Sequence, residues 1–204
     1  MVQKLFDLDS PILRFLNKLV DMVLLTVIWA ICCLPIFTIG ASTTALYYVT
    51  MKMTLDIEGY IYKDFFKAFK SNFKQATVVW MIMLTFSFLI TSSAVWYYKI
   101  NNPFGAFAFP VLFIVAGLFL IVSIYIFPLL ARCEVTVKQL INMAFVMSLK
   151  NFGWTLFMIV CAVCMLAMGI FIAAPLLIIG AGLVAYIHGK VLKIVFEPYN
   201  LNLK

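Results

Sequence analysis

Four long stretches of this 204-residue chain contain no Asp, Glu, Lys or Arg. They are residues 22–51, 75–98, 100–131 and 151–189. A helix needs about 20 predominantly apolar residues to cross the hydrocarbon core of a bilayer, so each stretch is long enough to cross. A helix also satisfies its own backbone hydrogen bonds, which lipid cannot do for it. The pattern therefore predicts an all-α fold, a polytopic transmembrane helical bundle.

Composition leaves little room for a soluble domain. Hydrophobic residues make up 66% of the chain and charged residues 11%. The longest interval between charge-free stretches, residues 52–74, is too short for a second globular unit, so residues 1–204 are predicted to form a single membrane domain. Asp7, Asp9 and Asp21 argue against a cleaved signal peptide. The net charge of +7 lies mainly in the loops, which favours contact with anionic lipid headgroups over nucleic acid.

Five spans are predicted, at about residues 12–34, 76–98, 105–130, 152–170 and 174–195. The first begins with Ser10 as a helix cap and Pro11 in the first turn, and it ends before Pro35. The last charge-free stretch covers roughly 58 Å at about 1.5 Å per residue, which is too long for one crossing. It is therefore divided into two arms by a turn between Gly169 and Pro175.

Three amphipathic helices are predicted at the membrane surface, at about residues 43–56, 60–74 and 135–150. The second has the clearest helical periodicity, with aromatic residues on one face and lysines on another. The aromatic residues are Tyr62, Phe65, Phe66, Phe69 and Phe73, and the lysines are Lys63, Lys67, Lys70 and Lys74. Anchoring in the headgroup plane of an anionic leaflet is the favoured interpretation, and docking onto a partner protein is the alternative.

A polar break follows Pro35. Its residues are Thr38, Gly40, Ser42, Thr43 and Thr44, and a new helix is expected to begin at Ser42 or Thr43. A connector at the membrane surface is the favoured interpretation of this segment. The alternative is a break at membrane depth that lines water, since irregular backbone is tolerated there only when it is packed in protein or solvated.

Small residues recur every four positions near the C-terminal end, at Ala181, Ala185 and Gly189. Such a helix-packing ridge lets another helix approach closely. Packing inside the bundle is favoured over an interface with another membrane subunit.

The distribution of Lys and Arg predicts the orientation. With five spans, eleven of these residues lie on one side and four on the other, which places the C-terminus in the cytoplasm. If residues 22–51 instead form a hairpin, the N-terminus moves to the same side and the ratio becomes fourteen to one. The expected location is the bacterial cytoplasmic (plasma) membrane, with several crossings.

Reactive side chains give no catalytic pattern. We predict no catalytic, cofactor-binding or metal-binding residues and no enzymatic activity. Cys161 and Cys164 have a redox-like spacing, but without neighbouring ligands we expect them to pack as small apolar residues. His188 is the one ionisable candidate in a span, and we expect it at the interface as a headgroup or capping residue rather than in a proton relay.

Two segments carry a family resemblance. Residues 34–48, Leu-Pro-Ile-Phe-Thr-Ile-Gly-Ala-Ser-Thr-Thr-Ala-Leu-Tyr-Tyr, are followed by residues 65–74, Phe-Phe-Lys-Ala-Phe-Lys-Ser-Asn-Phe-Lys. Together they resemble the YesL family of small bacterial membrane proteins of uncharacterised function, found mainly in Firmicutes. The resemblance implies a gene neighbourhood of carbohydrate-uptake ABC transporters, hence ABC permease subunits as partners. The family has no established functional residues to carry over.

Two functional hypotheses follow. The first is an accessory or assembly partner of a carbohydrate ABC importer, for which Phe65→Glu or Phe69→Glu is expected to abolish association. The alternative is an autonomous small-solute (sugar) transporter or channel built around the polar break. Solute flux through the purified protein would distinguish the second hypothesis from the first.

Overall fold

In the computed structural model, residues 11–55, 57, 59–99, 103–171 and 175–199 are described. These residues form helices and no strand, so the predicted all-α fold is confirmed. The helices are α1 (Pro11–Cys32), α2 (Ile39–Thr54), α3 (Ile61–Lys99), α4 (Pro103–Arg132), α5 (Val137–Lys150), α6 (Phe152–Phe171) and α7 (Pro175–Phe196). Short 3-10 turns lie at Ile36–Thr38 and Glu197–Tyr199.

Three helical stretches of the described residues are long and apolar enough to cross a membrane: Ile61–Tyr97, Phe109–Arg132 and Phe152–Gly169. They expose large apolar side chains, including Phe88 and Phe113 at 72% and 75%. Such surfaces are compatible with a lipid environment. Helices α1 and α7 match the predicted spans 12–34 and 174–195, and the count of five crossings stays a prediction. Ser10 and part of the predicted turn at 169–175 lie outside the described residues.

Helix α2 is not the surface helix that the sequence predicted over residues 43–56. It begins at Ile39 and contacts α1, α3, α4 and α7. Ala41, Ala45 and Val49 are almost completely buried, as are several of its hydroxyl side chains. The predicted amphipathic character is wrong because small side chains on several faces of α2 let neighbouring helices surround it, and the helix has no broad polar face to keep in water.

Helix α3 joins two elements that the sequence analysis had separated, the surface helix 60–74 and the span 76–98. Residues 61–99 contain neither Gly nor Pro, so nothing in the sequence interrupts the helix. Thirty-nine helical residues extend about 58 Å, nearly twice the thickness of a hydrocarbon core. The part before the charge-free stretch therefore continues the direction of the span and does not turn into the membrane plane.

Helices α2 and α3 form an antiparallel hairpin. At one end Gly40 lies against Ala76 and Trp80, and at the other Lys52 pairs with Asp64 at 2.7 Å. A Cβ atom on Gly40 would lie 2.7 Å from both the Ala76 carbonyl oxygen and Trp80 Cβ. The missing side chain thus sets the separation of the two helices.

Helix α5 follows α4 after a short link and begins at Val137, where Thr136 and Gln139 form a capping box. Leu140, Ala144 and Met147 are buried in the core. At its other end only Asn151 separates it from α6. Its predicted place at the membrane surface stays a prediction.

We expect Gly40→Ala to destabilise the protein by about 1–3 kcal/mol, because an added methyl group has no space between α2 and α3. Gly117→Ala is the matched control, since nothing lies within 4 Å of a Cβ atom at that position. Thermal unfolding in detergent measures both. Equal unfolding midpoints for the two variants would contradict this account of the α2–α3 contact.

Candidate functional site

Four lysines form an exposed row along the first part of α3, called the lysine row here. Its members are Lys63, Lys67, Lys70 and Lys74, and all four side chains are exposed. The spacing places them on one side of the helix over about 16 Å. Lys63 Nζ also lies 4.5 Å from the centre of the Tyr60 ring, a cation–π contact that restrains the outer end of the row.

The aromatic residues predicted as an interface lie mostly inside the chain. Phe65 is fully buried, and Phe69 and Phe73 are half-buried against the same core. Phe69 links the other two rings, with centroids 6.3 Å from Phe65 and 5.4 Å from Phe73. Only Phe66 at 43% and Tyr62 at 50% are exposed. The aromatic face therefore holds α3 against the core, and the surface it leaves free is the lysine row with these two rings beside it.

The outer end of the hairpin is fixed by an ion pair. Lys52 Nζ donates to Asp64 Oδ2 at 2.7 Å, and both side chains are largely shielded from solvent. Asp64 lies in the first turn of α3, where a carboxylate also interacts favourably with the helix dipole. The lysine row consequently stands on a helix that is restrained at this end as well as along its buried face.

The length of the lysine row limits how it can meet a membrane. The headgroup layer on each side of a bilayer is about 5–8 Å thick. A row of about 16 Å on a helix tilted by as much as about 40° still extends about 12 Å along the membrane normal. Lys74 can lie among headgroups, but Lys63 then lies beyond them. Since α3 is one continuous helix, it cannot cross the bilayer after residue 75 and also lie flat in the headgroup plane over residues 63–74.

The residues of the predicted polar break are packed inside the chain. Thr38 is buried, and its Oγ1 lies 2.6 Å from the carbonyl oxygens of both Cys32 and Pro35, which share its single hydroxyl proton. Thr44 Oγ1 donates to the Gly40 carbonyl oxygen at 2.8 Å, and Thr43 Oγ1 accepts from the Trp29 indole at 3.4 Å. The non-helical part is limited to the residues before Ile39. The start predicted at Ser42 or Thr43 is therefore wrong, since Ser42, Thr43 and Thr44 are all helical and the helix already begins at Ile39.

His188 is buried, with 2% of its surface exposed, and is not the headgroup residue that was expected. One ring nitrogen, Nε2, lies 3.0 Å from the Met158 carbonyl oxygen, and the other, Nδ1, lies 3.0 Å from the Tyr47 hydroxyl. A carbonyl oxygen can only accept, so Nε2 carries a proton; in the neutral ring Nδ1 then accepts from Tyr47. The imidazole thus connects α2, α6 and α7.

Tyr47 was missed by the sequence analysis. Its partner lies 141 residues away, and no local spacing connects the two positions. A hydroxyl-bearing ring in an apolar stretch does require a partner when buried, but that requirement does not name the partner.

At Gly189, the small-residue ridge packs against another helix of the same chain. Ala185 and Gly189 are buried and Ala181 is half-buried. A Cβ atom on Gly189 would lie 3.3 Å from Thr54 Cγ2 and 3.6 Å from the backbone of Thr50. Close approach at Gly189 is therefore to α2, as internal packing requires.

None of the five cysteines, all of which lie in the described ranges, forms a disulfide, and Cys164 is exposed. Within the described ranges, no three His, Cys, Asp or Glu side chains are grouped as a metal site would require. The features that remain as a candidate site are the lysine row and its aromatic neighbours.

A comparison with models of protein families finds a match for part of the chain. Residues 22–94 match the model of a family described as "Protein of unknown function, DUF624". This segment is therefore similar to DUF624 domains. YesL-like proteins belong to the same family. The matched segment contains the second half of α1, all of α2 and the α3 helix as far as Ala94, and hence the whole lysine row. No curated protein and no solved structure matches the chain.

We expect Tyr47→Phe to destabilise the protein by about 1–3 kcal/mol, because it leaves His188 Nδ1 buried without a partner. Tyr62→Phe removes the same hydroxyl from an exposed ring and serves as the control. Unfolding of the two variants in detergent, followed by circular dichroism, gives the comparison. A Tyr47→Phe protein as stable as the Tyr62→Phe protein would mean that this hydrogen bond contributes little.

Proposed function

We propose that the protein is a non-enzymatic accessory or assembly partner of a carbohydrate ABC importer. The observation that carries the proposal is the lysine row, a positively charged surface on a helix that continues out of a predicted span. The importer as the type of partner comes from the YesL resemblance. The DUF624 match is compatible with this assignment and names no activity by itself.

The lysine row has the properties of a docking surface. Phe65 is buried on the opposite face of α3, and the Lys52–Asp64 pair restrains the hairpin, so the helix is held in place before a partner arrives. Preorganisation lowers the entropic cost of binding. Phe66 and Tyr62 lie beside the lysines and offer apolar contact area. The complementary surface is acidic, with carboxylates spaced along a helix or strand, and charge pairing of this kind gives specificity and speeds association.

The autonomous transporter has weaker support. Its proposed centre, the polar segment after Pro35, uses the hydroxyls of Thr38 and Thr44 in hydrogen bonds to backbone carbonyl groups of the same chain. Those groups would have to exchange partners before they could bind a solute. A docking surface requires no such rearrangement of the core.

Charge reversal in the lysine row tests the proposal. The double variant Lys67→Glu/Lys70→Glu should reduce co-purification of importer subunits with the tagged protein by about tenfold or more, since like charges would then face the acidic partner surface. The double variant Lys138→Glu/Lys193→Glu changes the net charge equally at two other exposed lysines and should retain the partner. Unchanged recovery with the first variant would refute docking through the lysine row.

Phe65→Glu is a poor test of docking, because Phe65 is completely buried and a carboxylate there would disturb folding. Phe66→Glu alters an exposed ring beside the lysine row and is the better aromatic variant. Purified protein in liposomes provides the second arm. Sugar flux without any other subunit would favour autonomous transport over the accessory function.

A further inference from the structure

The chain reverses direction between α1 and α2. The Trp29 indole Nε1 lies 3.4 Å from Thr43 Oγ1, although the two residues are 14 positions apart. Two helices stacked end to end would separate such residues by about 20 Å, beyond the reach of a tryptophan side chain. Thr38 Oγ1, which donates to the Cys32 carbonyl oxygen at 2.6 Å, closes the bend.

The contacts of α7 with both α1 and α2 show the same reversal of the chain. Gly182 lies against Met22 and Thr26 of α1, and its amide donates to Thr26 Oγ1 at 2.9 Å. Gly189 lies against Thr50 of α2. These glycines are seven residues apart, so they share one face of α7 and are separated by about 10 Å. Thr26 and Thr50 would be about 36 Å apart in a straight helix, so α1 and α2 must run back alongside each other.

The tip of this α1–α2 hairpin is apolar and turned outward. Leu34, Ile36 and Phe37 are 80%, 67% and 52% exposed. Backbone carbonyl groups of the bend nevertheless have donors from the chain itself. The Trp80 indole donates to the Ile36 carbonyl oxygen at 2.8 Å, and the Thr38 amide donates to the Pro35 carbonyl oxygen at 3.0 Å. Side-chain donors at a helix break are what backbone polar groups require in a medium without water.

The outer face of α1 continues this surface. Val20, Leu24, Val27 and Ile31 are 62%, 46%, 40% and 61% exposed and recur at helical spacing. The opposite side of α1 packs on α7 through Met22 and Thr26. An apolar stripe that runs continuously into an apolar tip fits acyl chains, which make no directional demands on their neighbours.

We infer that the α1–α2 hairpin is inserted into the membrane and that its tip and outer α1 face contact lipid acyl chains. Both ends of the hairpin then lie on the same side of the membrane as the lysine row. The charge distribution agrees, because a hairpin collects fourteen of the fifteen Lys and Arg residues on that side and leaves Lys99 opposite. The inference is independent of the proposed importer partner.

Cysteine labelling tests the topology. In a variant without the five native cysteines, Val2→Cys, Lys70→Cys and Asn102→Cys are each treated with a membrane-impermeant maleimide in intact spheroplasts. Asn102→Cys should react from outside, whereas Val2→Cys and Lys70→Cys should react only after permeabilisation. If Val2→Cys reacted in intact spheroplasts as Asn102→Cys does, the N-terminus would lie on the outer side. That result would overturn the inference that the N-terminus and the lysine row share one side of the membrane.

Spin labels test the lipid contact. A label at Ile36→Cys in liposomes should be relaxed strongly by oxygen and weakly by a water-soluble nickel chelate, and a label at Lys70→Cys should show the opposite. Strong relaxation of the Ile36 label by nickel would place the tip in water. Weak relaxation by both reagents would mean that protein, such as a second copy, covers the tip. Either result overturns the lipid contact, and neither depends on whether an importer binds.

Discussion

The helices α3 and α7 approach α2 closely at glycine residues, and this close approach holds the helices around α2 together. Gly40 lets α2 approach α3, and Gly189 of α7 lets it approach from another side. Between two apolar helices in a bilayer, little is gained by burying hydrocarbon, because lipid is equally apolar. Stability then comes from short contacts and hydrogen bonds. The small residues on α2 and on the helices around it allow the short contacts, and the bond between Tyr47 and His188 is one of the hydrogen bonds.

The same packing explains why the candidate docking surface is well defined. Because Phe65, Phe69 and Phe73 pack in or against the core, the free side of the first part of α3, residues 61–74, carries lysines and only two exposed aromatic neighbours. A basic segment in a flexible loop would adapt to many anionic surfaces. A basic row on a restrained helix presents its charges at fixed separations, which favours a partner with matching separations.

Some of the fold could be predicted because membranes impose strong local rules. Charge-free stretches of sufficient length indicated α4, α6 and the second part of α3, and the lysine periodicity indicated one exposed face of the first part. The position of α2 could not be predicted in this way. Its residues look like a short, moderately polar segment, and only the glycines and alanines on helices distant in sequence reveal that four helices surround it. The separation of residues 60–74 from 76–98 was wrong because a change in composition was taken for a break in the helix.

Length, charge and periodicity within single segments are enough to predict that the chain is helical, apolar enough for a membrane, and basic along one face of α3. Three further features are visible only in the folded chain: which aromatic residues are buried, where His188 finds its partners, and that the chain turns back after Cys32. These outcomes depend on contacts between residues far apart in the chain. Tyr47 and His188 are joined across 141 positions because two helices approach closely at glycine, and neither residue carries that information locally.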